Sequence, residues 1–392
     1  MKTEILLVAS ALLCGVVVGV RGEAQVTSPG DSISVFTAGR EDIEGVENAS
    51  EKYAQYREQN IVVTKSGRVV AVCQGRNKSS WSDRSGQDLV CKWSDDHGKT
   101  WSKGAMIATH GLQSICPNAA VYDRDQNRIH VLYNLFTWDF DKKPKEIKGE
   151  LGKQSCPQYV ITSDDEGESW SEPRDISAMI DTHGAVAVFG SGEGIQLRHG
   201  KTKGRLVVSG GDFDKGKKVL CFFSDDHGET WQRGTPVPLP GKMAMASETK
   251  VAELPDGTLV LNSRTYHKDG SESRRRTRAF SSDGGETWSP LENDPALKTV
   301  SCNGSILAVP HAAGKDGAVL LCSVPVGPGR THGTVYVSLD GGKTWPLQKC
   351  LVTGHFAYSS LMQFADGHIG LFYESRSHKD INLVRFQLDD VM

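Results

Sequence analysis

One octet recurs five times along the chain and constrains the fold more than any other feature. Its copies are Ser94-Asp-Asp-His-Gly-Lys-Thr-Trp101, Ser163-Asp-Asp-Glu-Gly-Glu-Ser-Trp170, Ser224-Asp-Asp-His-Gly-Glu-Thr-Trp231, Ser281-Ser-Asp-Gly-Gly-Glu-Thr-Trp288 and Ser338-Leu-Asp-Gly-Gly-Lys-Thr-Trp345. An Asp two residues before a Gly can accept bonds from its own turn's amides while the Gly takes positive φ, so each octet reads as a hairpin turn carrying a Trp plug. The flanking runs, such as Leu206-Val-Val-Ser, Val219-Leu-Cys-Phe-Phe and Leu259-Val-Leu-Asn, are short and apolar and are bounded by Gly, Asp or Pro. They read as strands, and no long helical period is found. With octet starts roughly 57–69 residues apart, the stretch from 51 to 390 holds about six units of four strands each. The expectation is an all-β, six-bladed β-propeller in which one repeat has lost its octet and each Trp packs between neighbouring blades. The octets lack the full acidic spacing of a calcium loop, so they are assigned to structure and no metal is expected.

Composition removes other classes. With 45 Lys+Arg against 48 Asp+Glu, the net charge of −3 gives no electrostatic reason for nucleic-acid binding. At 38% hydrophobic and 24% charged, the chain is neither disordered nor fibrous. The run Arg274-Arg-Arg-Thr-Arg278 is expected on a solvated hairpin face, and Trp138 to Lys153 in an exposed loop. At the start, Lys2 precedes the apolar run Ile5 to Val20 and a small-residue stretch around Gly19 to Ala24. This reads as a signal peptide over 1–22, followed by a lead-in segment over 23–50 and the propeller over 51–392. A secreted, extracellular or periplasmic protein is therefore expected, with no membrane span after the signal is removed. Without Cys14 eight cysteines remain, and eight allow 105 pairings. Cys73, Cys91, Cys221 and Cys322 lie in strand-like runs where a buried free thiol is equally natural. Asn48, Asn77 and Asn303 fit the N-glycosylation pattern.

A propeller alone says little about chemistry. The octets, with the residues between them, resemble the Asp-box sialidases over about residues 50 to 388. Tyr56-Arg57, followed by an apolar strand, Gly67 and Gln74-Gly75-Arg76, is similar to that family's opening Arg-Ile-Pro through Gly-Arg stretch, although Glu58-Gln59 stands where Ile-Pro is usual. Ser247-Glu248 through Asn262-Ser263-Arg264 is similar to the family's Glu segment ending in Asn-x-Arg. Arg330 before the fifth octet and Tyr358 after it stand where the third arginine and the catalytic tyrosine fall, and Leu371-Phe-Tyr-Glu374 completes the set. The resemblance implies a carboxylate-binding triad of Arg57, Arg264 and Arg330. It also implies a nucleophile Tyr358 with base Glu248, an acid Asp83 in the loop from Asn77 to Asp88, and supporting roles for Glu374 and Arg76.

These residue types suit a sugar whose anomeric carbon bears a carboxylate. Guanidiniums fork onto that carboxylate through bonds worth about 1.5–3 kcal/mol each, in a planar geometry Lys matches poorly. A neutral phenol avoids facing the anion, unlike the two carboxylates of most glycosidases. With a reference pKa of about 10, it needs a base such as Glu248. Glu374 is expected to hold Arg57. The expected function is a secreted, cofactor-free, retaining exo-α-sialidase acting on sialylated glycans, glycoproteins or glycolipids. The alternatives are a non-catalytic glycan- or protein-binding propeller, and a trans-sialidase or related nonulosonic-acid hydrolase.

Overall fold

The five octets close five near-identical turns. In the first, Gly98 N and Asp96 N donate to Ser94 Oγ at 2.8 and 3.4 Å, and Thr100 donates to Asp96 through both N and Oγ1 at 2.8 and 2.7 Å. The same bonds recur around Asp165, Asp226, Asp283 and Asp340. Two consecutive residues of each turn are left-handed, for example His227 at φ 60° and Gly228 at φ 84°. The second must be Gly in the third copy, because a Cβ on Gly228 would meet His130 Cε1 at 2.3 Å. Two tryptophans reach a neighbouring sheet as expected, Trp101 edge-on to Phe372 at 6.0 Å and Trp231 edge-on to His130 with 1% exposure, whereas Trp170 packs on strands of its own sheet. Burying such a ring removes about 150–250 Å² from water, a gross gain of about 4–6 kcal/mol.

The computed structural model describes residues 32–77, 86–136, 156–180, 187–212, 218–241, 243–267 and 274–392. The proposed signal segment, Trp138, Asp83 and most of the loop after Asn77 lie outside these residues. Among the described residues the regular secondary structure is almost all strand, with one four-residue α-helix at Ala49–Lys52.

The strands do not form six separate blades. They make five sheets: three of four strands, one of five and one of nine. The four smaller sheets are arranged as propeller blades, whereas the nine-stranded sheet is a half-barrel. It arises because the strand Gln87–Ser94 pairs in parallel with the strand Ser114–Asp123 at Gln87 and Ser114, so the strands either side of 109–113 share one ladder. Octet counting and chain length are blind to that pairing, which is why the sequence reading over-divided the molecule.

The leading strands contact one another in a closed ring: Tyr53–Val63 with Ser114–Asp123, then Leu206–Asp212, Met243–Glu253, Ser305–Pro310, Ser359–Gln363 and back to Tyr53–Val63. Middle strands such as Val69–Asn77 are buried on both faces by neighbouring sheets, and so read as continuous apolar runs without alternation. The lead-in segment supplies the strand Ile33–Phe36, which pairs antiparallel with the strand Asp380–Phe386. Phe36 stacks on Tyr56 at 5.1 Å within the core shared by these sheets.

Three sequence readings are revised. Arg276, inside the basic run, is fully buried, with Nε on Asn262 Oδ1 at 2.6 Å and Nη1 on the Cys302 carbonyl at 2.9 Å. The run is therefore solvated only in part: Arg274 is exposed and Arg275 and Arg278 are partly exposed, whereas Arg276 turns inward. Asn303 is 3% exposed and donates to the Ser191 carbonyl at 2.9 Å, so its sequon is closed to glycosylation. The eight described cysteines are free, and all but Cys350 are buried.

Candidate active site

The ring of leading strands gathers chemistry at one end. Arg57 lies on Tyr53–Val63, Glu248 on Met243–Glu253, Arg264 on the paired strand Leu259–His267 and Glu374 on the strand Ile369–Ser375. Arg330 ends the turn before the strand Thr331–Ser338, and Tyr358 directly precedes Ser359–Gln363. Main-chain bonds tie the last group together: Phe356 N donates to the Arg330 carbonyl at 2.8 Å, Ala357 N to the Glu374 carbonyl at 3.1 Å, and Glu374 N to the Tyr358 carbonyl at 3.0 Å.

Bulges aim two of the carboxylates. In the ladder of Met243–Glu253 with Leu259–His267, Ser247 pairs with Arg264 and Thr249 with Ser263, so Glu248 is the extra residue, at φ 48°. In the ladder of Tyr53–Val63 with Val69–Asn77, the register slips between Arg57 and Asn60, and Glu58 takes φ 53°. A bulge re-aims a side chain that the pleat would send to the other face.

Tyr358 is the hub of the cluster. Its hydroxyl donates to Glu248 Oε1, and the guanidiniums of Arg57 and Arg330 lie over its ring at 5.1 and 5.6 Å from the centroid. Arg264 Nη1 donates to both Glu248 oxygens at 2.8 and 2.9 Å, and its Nε to Ser301 Oγ at 2.6 Å. Arg330 Nη2 donates to the Ser301 carbonyl at 3.1 Å, so Ser301 spaces two of the arginines. Arg57 forks onto Glu374 at 3.1 and 3.2 Å, and His378 Nδ1 lies 3.2 Å from the same carboxylate. Arg76 is fully buried and donates to Glu58 at 3.0 Å and to Gln74 at 2.7 and 2.9 Å.

The electrostatics follow from these contacts. Burial and the Glu248 charge push the Tyr358 phenol well above its ordinary range, while Arg264 and Arg57 pull it down. Burial alone would raise Glu374, yet Arg57 and His378 hold it well below the usual carboxylate range. Arg57 and Arg264 lose solvation, but Glu374 and Glu248 respectively keep them above the ordinary arginine value. The cluster is thus a set of fixed cations around one phenol, whose proton is already bonded to a carboxylate.

The structure brings Arg57, Arg264, Arg330, Tyr358, Glu248 and Glu374 together, with Arg76 behind Arg57. Asp83 lies outside the described residues. Asp88, the other carboxyl of its loop, is already bonded by Tyr53 Oη, Lys52 Nζ and Thr109 Oγ1, each at 2.6 Å. Sequence reasoning missed Glu58, Arg276 and Ser301. Arg276 Nη2 reaches the Glu248 carbonyl at 3.5 Å and so supports the bulge. Only the replacement of Ile-Pro by Glu58-Gln59 flagged Glu58, and nothing in the sequence flagged Ser301.

The BNR repeat-like domain profile matches residues 116–371, and the BNR/Asp-box repeat profile matches 92–103. A sialidase of Micromonospora viridifaciens is 30% identical over 349 residues, covering 83% of this chain and 51% of the relative. Sialidase-2 of Cricetulus griseus is 27% identical over 75% of this chain and 81% of its own length. Among solved structures, the Hadza microbial sialidase Hz136 superposes with a TM-score of 0.75 at 27% identity, over 88% of this chain and 68% of that one. The chain thus spans about half the length of the Micromonospora relative.

Proposed function

This chain belongs to the Asp-box sialidase family, and we propose that it is a retaining exo-α-sialidase that removes terminal sialic acid from glycans through a tyrosyl-enzyme intermediate. The reading rests on one observation above all: a phenol bonded to a buried-rim glutamate, with three guanidiniums gathered round it.

Arg57, Arg264 and Arg330 would bind the sugar's carboxylate and set its anomeric carbon against Tyr358 Oη. Glu248 takes the phenol proton as Oη bonds to that carbon. The glycosidic C–O bond breaks with its electrons passing to the leaving oxygen, which takes the proton of Asp83. In the second half, Asp83 removes a proton from water, the water oxygen bonds to the anomeric carbon, and the Tyr358–carbon bond breaks. Glu248 returns the proton to the phenolate. Two inversions give net retention. Each half-reaction moves two protons, one between Tyr358 and Glu248 and one through Asp83, and no free phenolate has to persist in the resting site. Export is also proposed, on the strength of the apolar run at the N-terminus, and is tested by mass determination of the mature secreted chain.

The deciding experiment is Tyr358→Phe on a fluorogenic aryl sialoside. The variant keeps the ring under both arginines but lacks the nucleophile, so turnover should fall at least about a thousandfold while the melting temperature holds. Wild-type-like turnover rejects the mechanism. Product analysis with lactose present distinguishes hydrolysis from transfer.

A further inference from the structure

We propose that Glu58 is a positioning residue of this site: its buried carboxylate offsets the arginines around Tyr358 and thereby sets how tightly the site holds an acidic sugar and at what pH it works. The inference deepens the sialidase reading and rests on it.

Arg57 and Glu58 are neighbours, and on an unbroken strand they would face opposite ways. The bulge after Arg57 and the left-handed backbone at Glu58 turn the glutamate into the cluster instead. There it is 5% exposed, and its amide donates to Glu374 Oε1 at 3.0 Å. Its carboxylate accepts from Arg76 Nη2 at 3.0 Å, Gln74 Nε2 at 3.2 Å and Ser191 Oγ at 3.0 Å, with the Cys116 thiol at 3.6 Å. These partners come from three separate stretches of chain, so the carboxylate is held from several sides.

Stability does not require a charge here, because a buried ion pair is often no better than well-packed apolar residues. Its electrostatic reach gives it a role. Glu58 raises the Tyr358 phenol and acts on Arg57, opposing the pull of the guanidiniums. Among the described residues, the other charged or titratable groups facing the Tyr358–Glu248 pair are Arg57, Arg264, Arg276, Arg330, Glu374 and Cys302. None of these is altered in the test.

In Glu58→Gln the volume and most bonds remain but the negative charge is gone. The acid limb of kcat/KM should move to lower pH, because the Tyr358–Glu248 pair then releases its proton more readily. The calorimetric Kd for 2,3-unsaturated sialic acid should tighten about threefold or more. The double variant Glu58→Gln with Arg76→Gln removes both charges and should return both readouts toward wild type, a reversal that a merely structural role does not produce. A folded Glu58→Gln protein with unchanged acid limb and unchanged Kd overturns the proposal, as does a double variant that shows no return. If Glu58→Gln does not fold, Arg76→Gln should move both readouts the opposite way, and no movement overturns the proposal equally. A wild-type protein that does not turn over a sialoside rejects the sialidase reading, an outcome distinct from an unmoved acid limb in an active enzyme.

Discussion

Three residues of the cluster take backbone that most residues avoid: Glu58, Glu248 and Arg330 have φ of 53°, 48° and 61°. Each such residue costs of order 1–3 kcal/mol and persists only where the surroundings overdetermine it. Here the surroundings are the guanidinium forks and the ladder on either side of each bulge. Arg330 is the clearest residue-scale test. Its Nη2 rests on a carbonyl, leaving the remaining donors to face the site. Arg330→Lys should weaken binding of the acidic sugar by about 1.5–3 kcal/mol, measured as Kd or KM, with little change in melting temperature because the side chain is half-exposed. Equal binding of an analogue lacking the carboxylate by wild type and variant is the expected control. Arg57, Glu248, Arg264, Arg330, Tyr358 and Glu374 could be named from the sequence only through the resemblance to the Asp-box sialidases, and what the structure adds is that the six lie together. Ser301 and Arg276 could not be named, since a serine spacing two arginines and an arginine under a bulge have no local signature. Asn303 misled for the same reason: a sequon is a three-residue pattern, and burial is a property of the fold.

The octets belong to the scale of elements, and they were legible because all their bonding is local. Their fourth residue does something that the pattern alone does not reveal. His227 Nδ1 lies 2.7 Å from Asp123, and Ser66 donates to Glu166 at 2.5 Å, so this position clasps the turn of a neighbouring group of strands. The octet carboxylates are themselves acid-sensitive. Partial burial would raise Asp96, but bonds from Thr100 and Ser94 hold it down to about 2, and Asp165, Asp226, Asp283 and Asp340 are also lowered. A carboxylate whose folded pKa lies below its unfolded value of about 3.9 stabilises the fold above that value, and the contribution is lost as pH falls through the folded pKa. Thermal midpoints should therefore drop between about pH 4 and pH 2. Asp226→Ala should cost about 1–3 kcal/mol at neutral pH and flatten that acid slope in a denaturation series. The nine-stranded sheet was illegible for the opposite reason. One pairing between Gln87 and Ser114 creates it, and neither residue advertises a partner 27 positions away.

For the whole molecule, the ring of strands explains how residues from 57 to 374 meet in one place, because each sheet offers the same end of its leading strand to the axis. The lead-in strand packs against this ring, with Phe36 fully buried against Tyr56, the neighbour of Arg57. Phe36→Ala should lower stability by about 3–5 kcal/mol, read from chemical denaturation, and should reduce turnover in parallel because Tyr56 loses its backing. The all-β class was legible because short strands and turns are written in local composition, whereas closure depends on contacts between the two extremes of the chain.

That closure has a consequence for synthesis. Ile33–Phe36 leaves the ribosome long before its partner strand Asp380–Phe386. The sheet they share stays incomplete until that strand emerges, and Arg57 cannot meet Glu374 until Glu374 itself has been made. A nascent chain therefore carries an unpaired strand edge and an Arg57 without its Glu374 partner until the sheet of Asp380–Phe386 closes.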